Sequence, residues 1–341
     1  MAQPLSCAEL RVRIARLPRV SLGHFPTPLD FCPRLTEALG GPRIFMKRDD
    51  CTGLAFGGNK TRQLEFTVAQ AVQAGADVLV GGAGSQSNHC RQLAAAAASQ
   101  GMDCALVVVK DHKSSEKEGN LLLNDLLGAT VRFAEVDSQE DLNEAKQDLM
   151  DRLVSEGRKP FLVMQSDVRH FGAMGYALCM AELVDQFSNM GEQLDTLVVC
   201  SGTTTQPGLI FGNRILGMDT RIIGMAPIVW SHDLKAAFLD VLEKMTGVMD
   251  LDLTFTADDI INLASYVGPR GYGYPSPEGN DAFRLVARSE GIFLDPIYSG
   301  KAFAGLADLV RKGQIGSNET VVFLHTGGSP LLFAYSEELS V

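Results

Sequence analysis

The stretch Asp77-Val78-Leu79-Val80-Gly81-Gly82-Ala83-Gly84-Ser85-Gln86-Ser87-Asn88-His89 decides the fold. Residues 77–80 read as an apolar strand without the alternation of a half-solvated one, so both faces of its sheet are covered. The glycine run ends the strand, and the helix that opens after Ser87-Asn88-His89 carries the alanine run 94–98. Hydroxyls and backbone N–H groups at such a helix start can bind an anion such as a carboxylate. Ser87 or Asn88 can equally cap the helix, and the two roles are compatible.

Outward in both directions the same strand–turn–helix unit recurs. Toward the N-terminus lie a short helix at 7–17, the extended segment His24-Phe25-Pro26-Thr27-Pro28-Leu29, a strand at 44–47 and a helix from Lys60 to Gln73. Toward the C-terminus, strands at 104–109, 130–134, 161–164, 196–200, 221–225 and 320–324 alternate with helices at 119–127, 139–156, 172–187, 231–246, 280–290 and 299–312. Residues 251–280 are the least regular part. Apolar strands separated by helices indicate an α/β fold with parallel sheets. Ligands of such sheets bind beyond the carboxyl ends of the strands. The polar and glycine-rich segments fall there: 81–89, 165–172, 201–208 and 326–328.

A length of 341 residues fits two lobes sharing a cleft. Hydrophobic residues make up 45% and charged residues 21%, an ordinary globular composition. The formal net charge of -11 argues against a nucleic-acid or anionic-membrane surface, although a local pocket can still take a small anion. Seven scattered cysteines without a C-x-x-C pair suggest neither a disulfide framework nor a zinc site, and point to a reducing cytosol. No secretory leader and no bilayer-length apolar run is read, so the expected location is cytoplasmic.

Gly57-Gly58-Asn59-Lys60-Thr61-Arg62 delivers a lysine onto the first turn of an amphipathic helix, with Leu64, Val68 and Ala71 on one face. The helix dipole disfavours a cation there. A lysine driven toward its neutral amine can form a Schiff base with an aldehyde cofactor; the alternative is a solvated surface lysine. Ser201-Gly202-Thr203-Thr204-Thr205 follows a buried strand and opens a helix, which makes a phosphate cradle or an ordinary capped turn. Neither a Walker lysine nor G-x-G-x-x-G is present, so a nucleoside triphosphate or dinucleotide is not implied. Tyr272, in Gly271-Tyr272-Gly273-Tyr274, and Tyr298, in Asp295-Pro296-Ile297-Tyr298-Ser299-Gly300-Lys301, are acid–base candidates or packed edge residues. Arg169, in the charged loop 165–170, can pair with a sulfonate or second carboxylate of a substrate, or with Asp167. His325 reads as a structural hydrogen-bonding residue, and no metal is expected.

In order and spacing these motifs resemble the pyridoxal-phosphate enzymes of fold type II, in the branch of D-cysteine desulfhydrase, L-cysteate sulfo-lyase and 1-aminocyclopropane-1-carboxylate (ACC) deaminase. The anchors are T-P-L at 27–29, K-R-D-D at 47–50, G-G-N-K-T-R at 57–62, Q-S-N-H at 86–89 and G-A-M-G-Y at 172–176. G-Y-G at 271–273, D-P-I-Y-S-G-K at 295–301 and H-T-G-G at 325–328 complete the set, which spans about Pro26 to Tyr335. The resemblance implies two open parallel-sheet domains with the cofactor in the cleft: residues 1–52 with 166–341 as the large domain and 53–165 as the small one. It implies that Lys60 carries the cofactor aldehyde and that Asn88 contacts the ring hydroxyl. Ser201, Gly202, Thr203, Thr204 and Thr205 would hold the phosphate, with Asn59, Ser299 and Thr326 as further cofactor contacts. Ser87, His89 and Arg169 would face an amino-acid substrate, and Tyr272 and Tyr298 would move protons. A homodimer is implied.

ACC deaminases carry glutamate at the position of Ser299 and leucine at that of Thr326. A neutral partner on the pyridine nitrogen weakens the electron sink and suits departure of a good leaving group. The implied reaction is therefore β-elimination, to pyruvate, ammonia and sulfite or sulfide. ACC ring opening, dehydration, racemisation and non-catalytic amino-acid binding are the alternatives. Cys51-Thr52-Gly53-Leu54, Tyr266-Val267-Gly268 and 308–313 look most like L-cysteate sulfo-lyase. Two loops depart from the family: 201–205 has lost a glycine of the usual phosphate turn, and 165–171 is charged where glycine and serine are usual.

Overall fold

The computed structural model describes residues 3–114, 117–136, 138–163, 166–230 and 233–339. Met164, Gln165, Ser231 and His232, which the expected strand at 161–164, the charged loop and the helix at 231–246 included, lie outside them. In chain order the first elements are α1 (Cys7–Ile14), β1 (Leu29–Phe31), α2 (Pro33–Ala38) and β2 (Arg43–Lys47). Next come α3 (Lys60–Gln73), β3 (Val78–Gly84), α4 (Asn88–Ser99), β4 (Asp103–Val109), α5 (Gly119–Leu126), β5 (Thr130–Ala134), α6 (Gln139–Ser155) and β6 (Pro160–Leu162). The rest are α7 (Ser166–Met190), β7 (Thr196–Cys200), α8 (Thr205–Ile215), β8 (Arg221–Met225), α9 (Leu234–Val248), β9 (Ile261–Leu263), α10 (Pro277–Glu290), α11 (Ser299–Arg311) and β10 (Thr320–Leu324), before two single-turn helices.

The strands form two sheets. One has the order β1-β2-β10-β7-β8-β9 and the other β5-β4-β3-β6. All pairings are parallel except that of β1 with β2. Every residue of β7 and β10 is buried, because α7, α8 and α9 cover one face of the larger sheet and α10 and α11 the other. The unbroken apolar runs follow from that double covering.

Two expectations are corrected. Residues 166–171, read as a loop, are the first turns of α7, so Arg169 stands at a helix start. The segment has neither glycine nor proline before Gly172, and Asp167 lies in its first turn, where an acid favours a helix. The irregular region 251–280 contains β9, a three-residue edge strand too short for a periodic signal.

α3 belongs to both cores. Leu64, Val68 and Ala71 pack in the four-stranded lobe, while Phe66 packs with α7 in the other. The turn before α3 has positive φ at Gly53, Ala55, Phe56, Gly57 and Gly58. At Gly57 a Cβ would lie 2.0 Å from the Asp50 carbonyl oxygen, and at Gly327 one would lie 2.7 Å from Gly58 Cα. Glycine at these positions lets the lysine turn and the H-T-G-G turn touch backbone to backbone.

Candidate active site

Lys60 begins α3 and is half-buried. Burial pushes its amine down to about 8, with the nearby Arg169 guanidinium adding to the effect. The turn is held from below: Gly58 N–H donates to the Asp49 carbonyl at 3.0 Å and to Thr52 Oγ1 at 2.8 Å, and Asn59 N–H to the Thr326 carbonyl at 3.0 Å. Two residues on, Arg62 binds both oxygens of Asp49 and both of Glu182 at 2.7–2.9 Å. Tyr176 Oη donates to Asp49 at 2.8 Å, and Lys47 Nζ to Glu182 at 2.7 Å and the Thr27 carbonyl at 2.8 Å. The T-P-L, K-R-D-D and G-A-M-G-Y motifs are thus parts of one buried charge network under the lysine. Burial opposes ionisation of Asp49 and Glu182, but Arg62 holds both carboxyls below their ordinary values.

Above Lys60 lies the turn between β3 and α4. Ser87 caps α4, accepting from the N–H groups of His89 at 3.2 Å and Cys90 at 3.4 Å, which leaves its hydroxyl hydrogen to donate. Asn88 Oδ1 accepts from Arg91 at 2.7 Å and Asn120 at 3.0 Å, so its amide nitrogen is the group left for a ligand. Buried Arg91 also donates to the Gly57 carbonyl at 2.8 Å and ties this turn to the lysine turn. His89 is pushed down to about 3 by burial and by Lys60 and Lys146, so its ring is neutral.

At the start of α8 the structure assembles a second anion-binding geometry. Asn59 Nδ2 and Gln63 Nε2 both donate to Thr205 Oγ1, at 3.1 and 3.0 Å, leaving that hydroxyl's hydrogen to point elsewhere. Thr204 Oγ1 is buried with no partner among the described residues, and Gly202 faces open space. Ser201 Oγ turns to the Gly202 carbonyl at 3.0 Å, and Thr203 is half-buried in the same turn.

Tyr272 and Tyr298 meet hydroxyl to hydroxyl. Ser299 is less available: its hydroxyl donates to Asp295 at 2.5 Å and accepts from the Asp295 N–H at 2.8 Å. Thr326 is buried, and its carbonyl serves Asn59. His325 bonds the Phe293 carbonyl at 3.0 Å and the Gly327 N–H at 3.2 Å, the structural role its position suggested. The Asp240 carboxylate of α9 acts electrostatically on Arg169, whose burial holds its guanidinium below its ordinary value. His112 stacks on Tyr274 with centroids 4.1 Å apart, and Lys113 pairs with Glu338 at 2.7 Å, so the segment after β4 meets residues from the C-terminal part of the chain. Sequence reading missed Arg91, Gln63 and Asp111. Arg91 had a signal, since it lies one helical turn after Asn88 on the same face. Asp111 had none; it accepts from Ser85 Oγ at 2.5 Å and Ser85 N–H at 3.1 Å.

A depressed amine, an unpaired amide beside it and unpaired hydroxyls at a helix start can hold an aldehyde that also carries a ring oxygen and a phosphate. The chain belongs to the family of pyridoxal-phosphate dependent enzymes, whose description matches residues 20–327. It is similar to the 1-aminocyclopropane-1-carboxylate deaminase of Methylobacterium nodulans, with 37% identity over 330 residues covering 94% of this chain and 98% of that protein. It is also similar to the D-cysteine desulfhydrase of Salmonella typhi, with 38% identity over 328 residues covering 94% and 97%. The crystal structure of an ACC deaminase homologue superposes with a TM-score of 0.88 at 32% identity, covering 97% of this chain and 98% of that one. These matches establish fold type II and pyridoxal phosphate as the cofactor. Among the described residues no helix is long and apolar enough to cross a membrane, and no His, Cys, Asp and Glu group is placed to hold a metal.

Proposed function

We propose that this enzyme is a deaminating lyase. It removes the β-substituent of a small sulfur-containing amino acid, L-cysteate or a D-cysteine-like substrate, and yields pyruvate, ammonia and sulfite or sulfide. The observation that carries the reading is the depressed Lys60 amine, whose charge acts on His89 at the Ser87–Asn88 helix start.

The bound cofactor supplies the electron sink for the pair left on the α-carbon. Asn88 would hold its ring oxygen, and Ser201, the Gly202 backbone, Thr203, Thr204 and Thr205 would hold its phosphate, with Asn59 bracing Thr205. Ser87 and the α4 N–H groups receive the substrate carboxylate. The Lys60 amine removes the α-proton. The β-substituent leaves with its bonding pair, and the tyrosine pair supplies the proton it needs. The released enamine hydrolyses to pyruvate and ammonia. At Ser299 and Thr326 the chain carries no charged partner for the pyridine nitrogen, and the Ser299 hydroxyl is itself committed to Asp295, which would favour a substrate with a good leaving group.

ACC ring opening is the second reading, favoured by relatives named ACC deaminase at 35–37% identity. Assaying pyruvate and ammonia from D- and L-cysteine, L-cysteate, D- and L-serine and ACC separates the readings. Turnover of a sulfur amino acid, abolished in Lys60→Ala, supports elimination. Turnover of ACC alone, or spectral binding without product, overturns it.

We also propose a homodimer, checked by light scattering, and a cytoplasmic location, supported by seven unpaired cysteines. Residues 53–165 are proposed as the small domain and 1–52 with 166–341 as the large one.

A further inference from the structure

Arg91, in the first turn of α4, is fully buried, and among the described residues it has no carboxylate partner. Arg62, Lys47, Arg48 and Lys113 each meet a carboxylate at 2.7–2.8 Å. The bonds of Arg91 go to neutral oxygens alone. One terminal nitrogen donates to Asn88 Oδ1 and Asn120 Oδ1, both at 2.7 Å, and the other to the Gly57 carbonyl at 2.8 Å. Its Nε is buried without a partner. Burial pushes the guanidinium down to about 10, and Asp295 is the charged group that opposes this. The Asp295 oxygens are themselves taken by the N–H groups of Ile297, Tyr298 and Ser299 and by the Ser299 hydroxyl. A buried cation held in this way costs stability, and such costs persist at sites that use them.

The guanidinium also settles how two amides are turned. It donates and never accepts. The atoms that Asn88 and Asn120 present to it are therefore their oxygens. Asn120 Nδ2 is then free to donate to Asn88 Oδ1 at 3.0 Å and to the Gln86 carbonyl at 2.8 Å. The Asn120 N–H donates to Gln86 Oε1 at 2.8 Å, which fixes the start of α5 against the turn before α4. The Asn88 oxygen thus has two donors, and its half-buried nitrogen is left facing away from both. A carboxylate on Arg91 would cancel its field at that nitrogen, whereas neutral partners leave the field in place. In a medium less polar than water such a field acts over a longer distance.

We propose that Arg91 is a positioning residue for the cofactor's ring oxygen: it holds the Asn88 nitrogen outward and lends its uncancelled positive charge to the oxygen which that nitrogen meets. This rests on the reading of Asn88 as the contact of the ring oxygen. A charge-assisted donor favours an anionic oxygen there over a neutral group. The ring oxygen and the aldehyde of pyridoxal phosphate stand on adjacent carbons. Arg91 bonds both to Asn88 and to the turn that delivers Lys60, so one side chain keeps the two receiving groups in register.

The test strips the full chain of cofactor and measures, by equilibrium dialysis, its affinity for pyridoxal phosphate and for the analogue lacking the ring hydroxyl. The proteins are wild type, Arg91→Gln, Arg91→Lys and Asn88→Asp. The ratio of the two affinities is the readout, because a merely loosened lysine turn weakens both ligands alike. Wild type should prefer the cofactor by at least about 10-fold, the scale of one charge-assisted hydrogen bond. Arg91→Gln, a donor without charge, should lose most of that preference, and Arg91→Lys should keep most of it. Asn88→Asp keeps the shape and gives Arg91 a carboxylate, so the cofactor-free protein should melt no lower than wild type while its preference reverses. A wild-type ratio near one, or a ratio unchanged in Arg91→Gln, overturns the proposal. So does an Arg91→Lys ratio that falls as far as that of Arg91→Gln. If Arg91→Gln does not fold, Asn88→Asp decides: a markedly lower melting temperature overturns the uncancelled charge, and an unmoved preference removes Asn88 from the ring oxygen and the proposal with it. If the preference follows Arg91 but no amino acid is turned over, the elimination reading fails and the role of Arg91 stands. If sulfur amino acids are turned over while the ratio ignores Arg91, the elimination reading stands and the role of Arg91 fails.

Discussion

The phenol oxygens of Tyr272 and Tyr298 lie 2.5 Å apart, so one hydroxyl donates to the other and a single hydrogen remains for a ligand. Burial pushes Tyr272 up to about 12, with Tyr298 easing and Asp111 adding to the shift, and burial likewise raises Tyr298. Both phenols stay protonated across neutral pH and act as donors. Tyr272→Phe and Tyr298→Phe should each lower kcat by about 100-fold with cofactor absorbance intact. Steady-state kinetics on the best substrate checks this, and retention of kcat in both variants would remove the pair from the proton path.

Lys60 supplies a pH signature in the cofactor-free protein. An ordinary lysine is almost wholly protonated at pH 8, but burial holds this amine at about 8, so a large neutral fraction exists there. The rate of pyridoxal-phosphate uptake should rise with pH and level off above about 9, well below the ordinary lysine range. Stopped-flow absorbance across the pH range measures it, and a rate still climbing steeply at higher pH would contradict the placement.

Thr204 offers a substitution almost free of other consequences. Its hydroxyl is buried and unpartnered, so Thr204→Val removes a donor without breaking a bond within the chain. Affinity for pyridoxal phosphate should weaken by about 10-fold, the scale of one charge-assisted hydrogen bond. Thermal stability of the cofactor-free protein should be unchanged or slightly higher. Equilibrium dialysis and calorimetry give the two readouts.

The network beneath Lys60 has the opposite character. Arg62→Met strands the buried Asp49 and Glu182 carboxylates, and loss of one partner in such a cluster costs about 3–5 kcal/mol. Both carboxyls are held below their ordinary values, so their contribution is present above the unfolded pKa of about 4 and is lost as pH falls through the lower folded values. Calorimetry of wild type and variant should therefore differ most at neutral pH and converge in acid. The variant should also lose cofactor, because its lysine helix is no longer anchored.

The apolar strands were legible because a sheet covered on both faces writes itself as unbroken hydrophobic runs. The lysine turn was legible because two glycines before a helical lysine are unusual chemistry in six residues. The start of α7 was not, since the charged residues 166–170 lack an apolar stripe and read equally as a loop. Ser299 read as a cofactor contact, and only the structure shows its hydroxyl committed to Asp295. Arg91 is marked only by its spacing from Asn88, and Asp111 carries no local mark at all. Each matters through a neighbour distant in sequence, Gly57 for Arg91 and Ser85 for Asp111, and that adjacency exists only once the chain has folded.

The double allegiance of α3 limits how this chain can be recombined with its relatives. A crossover at residue 52 would take Lys60 and Arg62 from one parent and Thr27, Lys47 and Asp49 from another, splitting a cluster whose members were tuned to one another. Leu64 and Val68 would then fit their new companions while Phe66 and Arg62 met strangers. Chimeras that exchange substrate preference while keeping cofactor should instead break the chain after Gln73 and again before α7, so that the lysine helix travels with Tyr176 and Glu182 rather than with the sheet whose turn it faces.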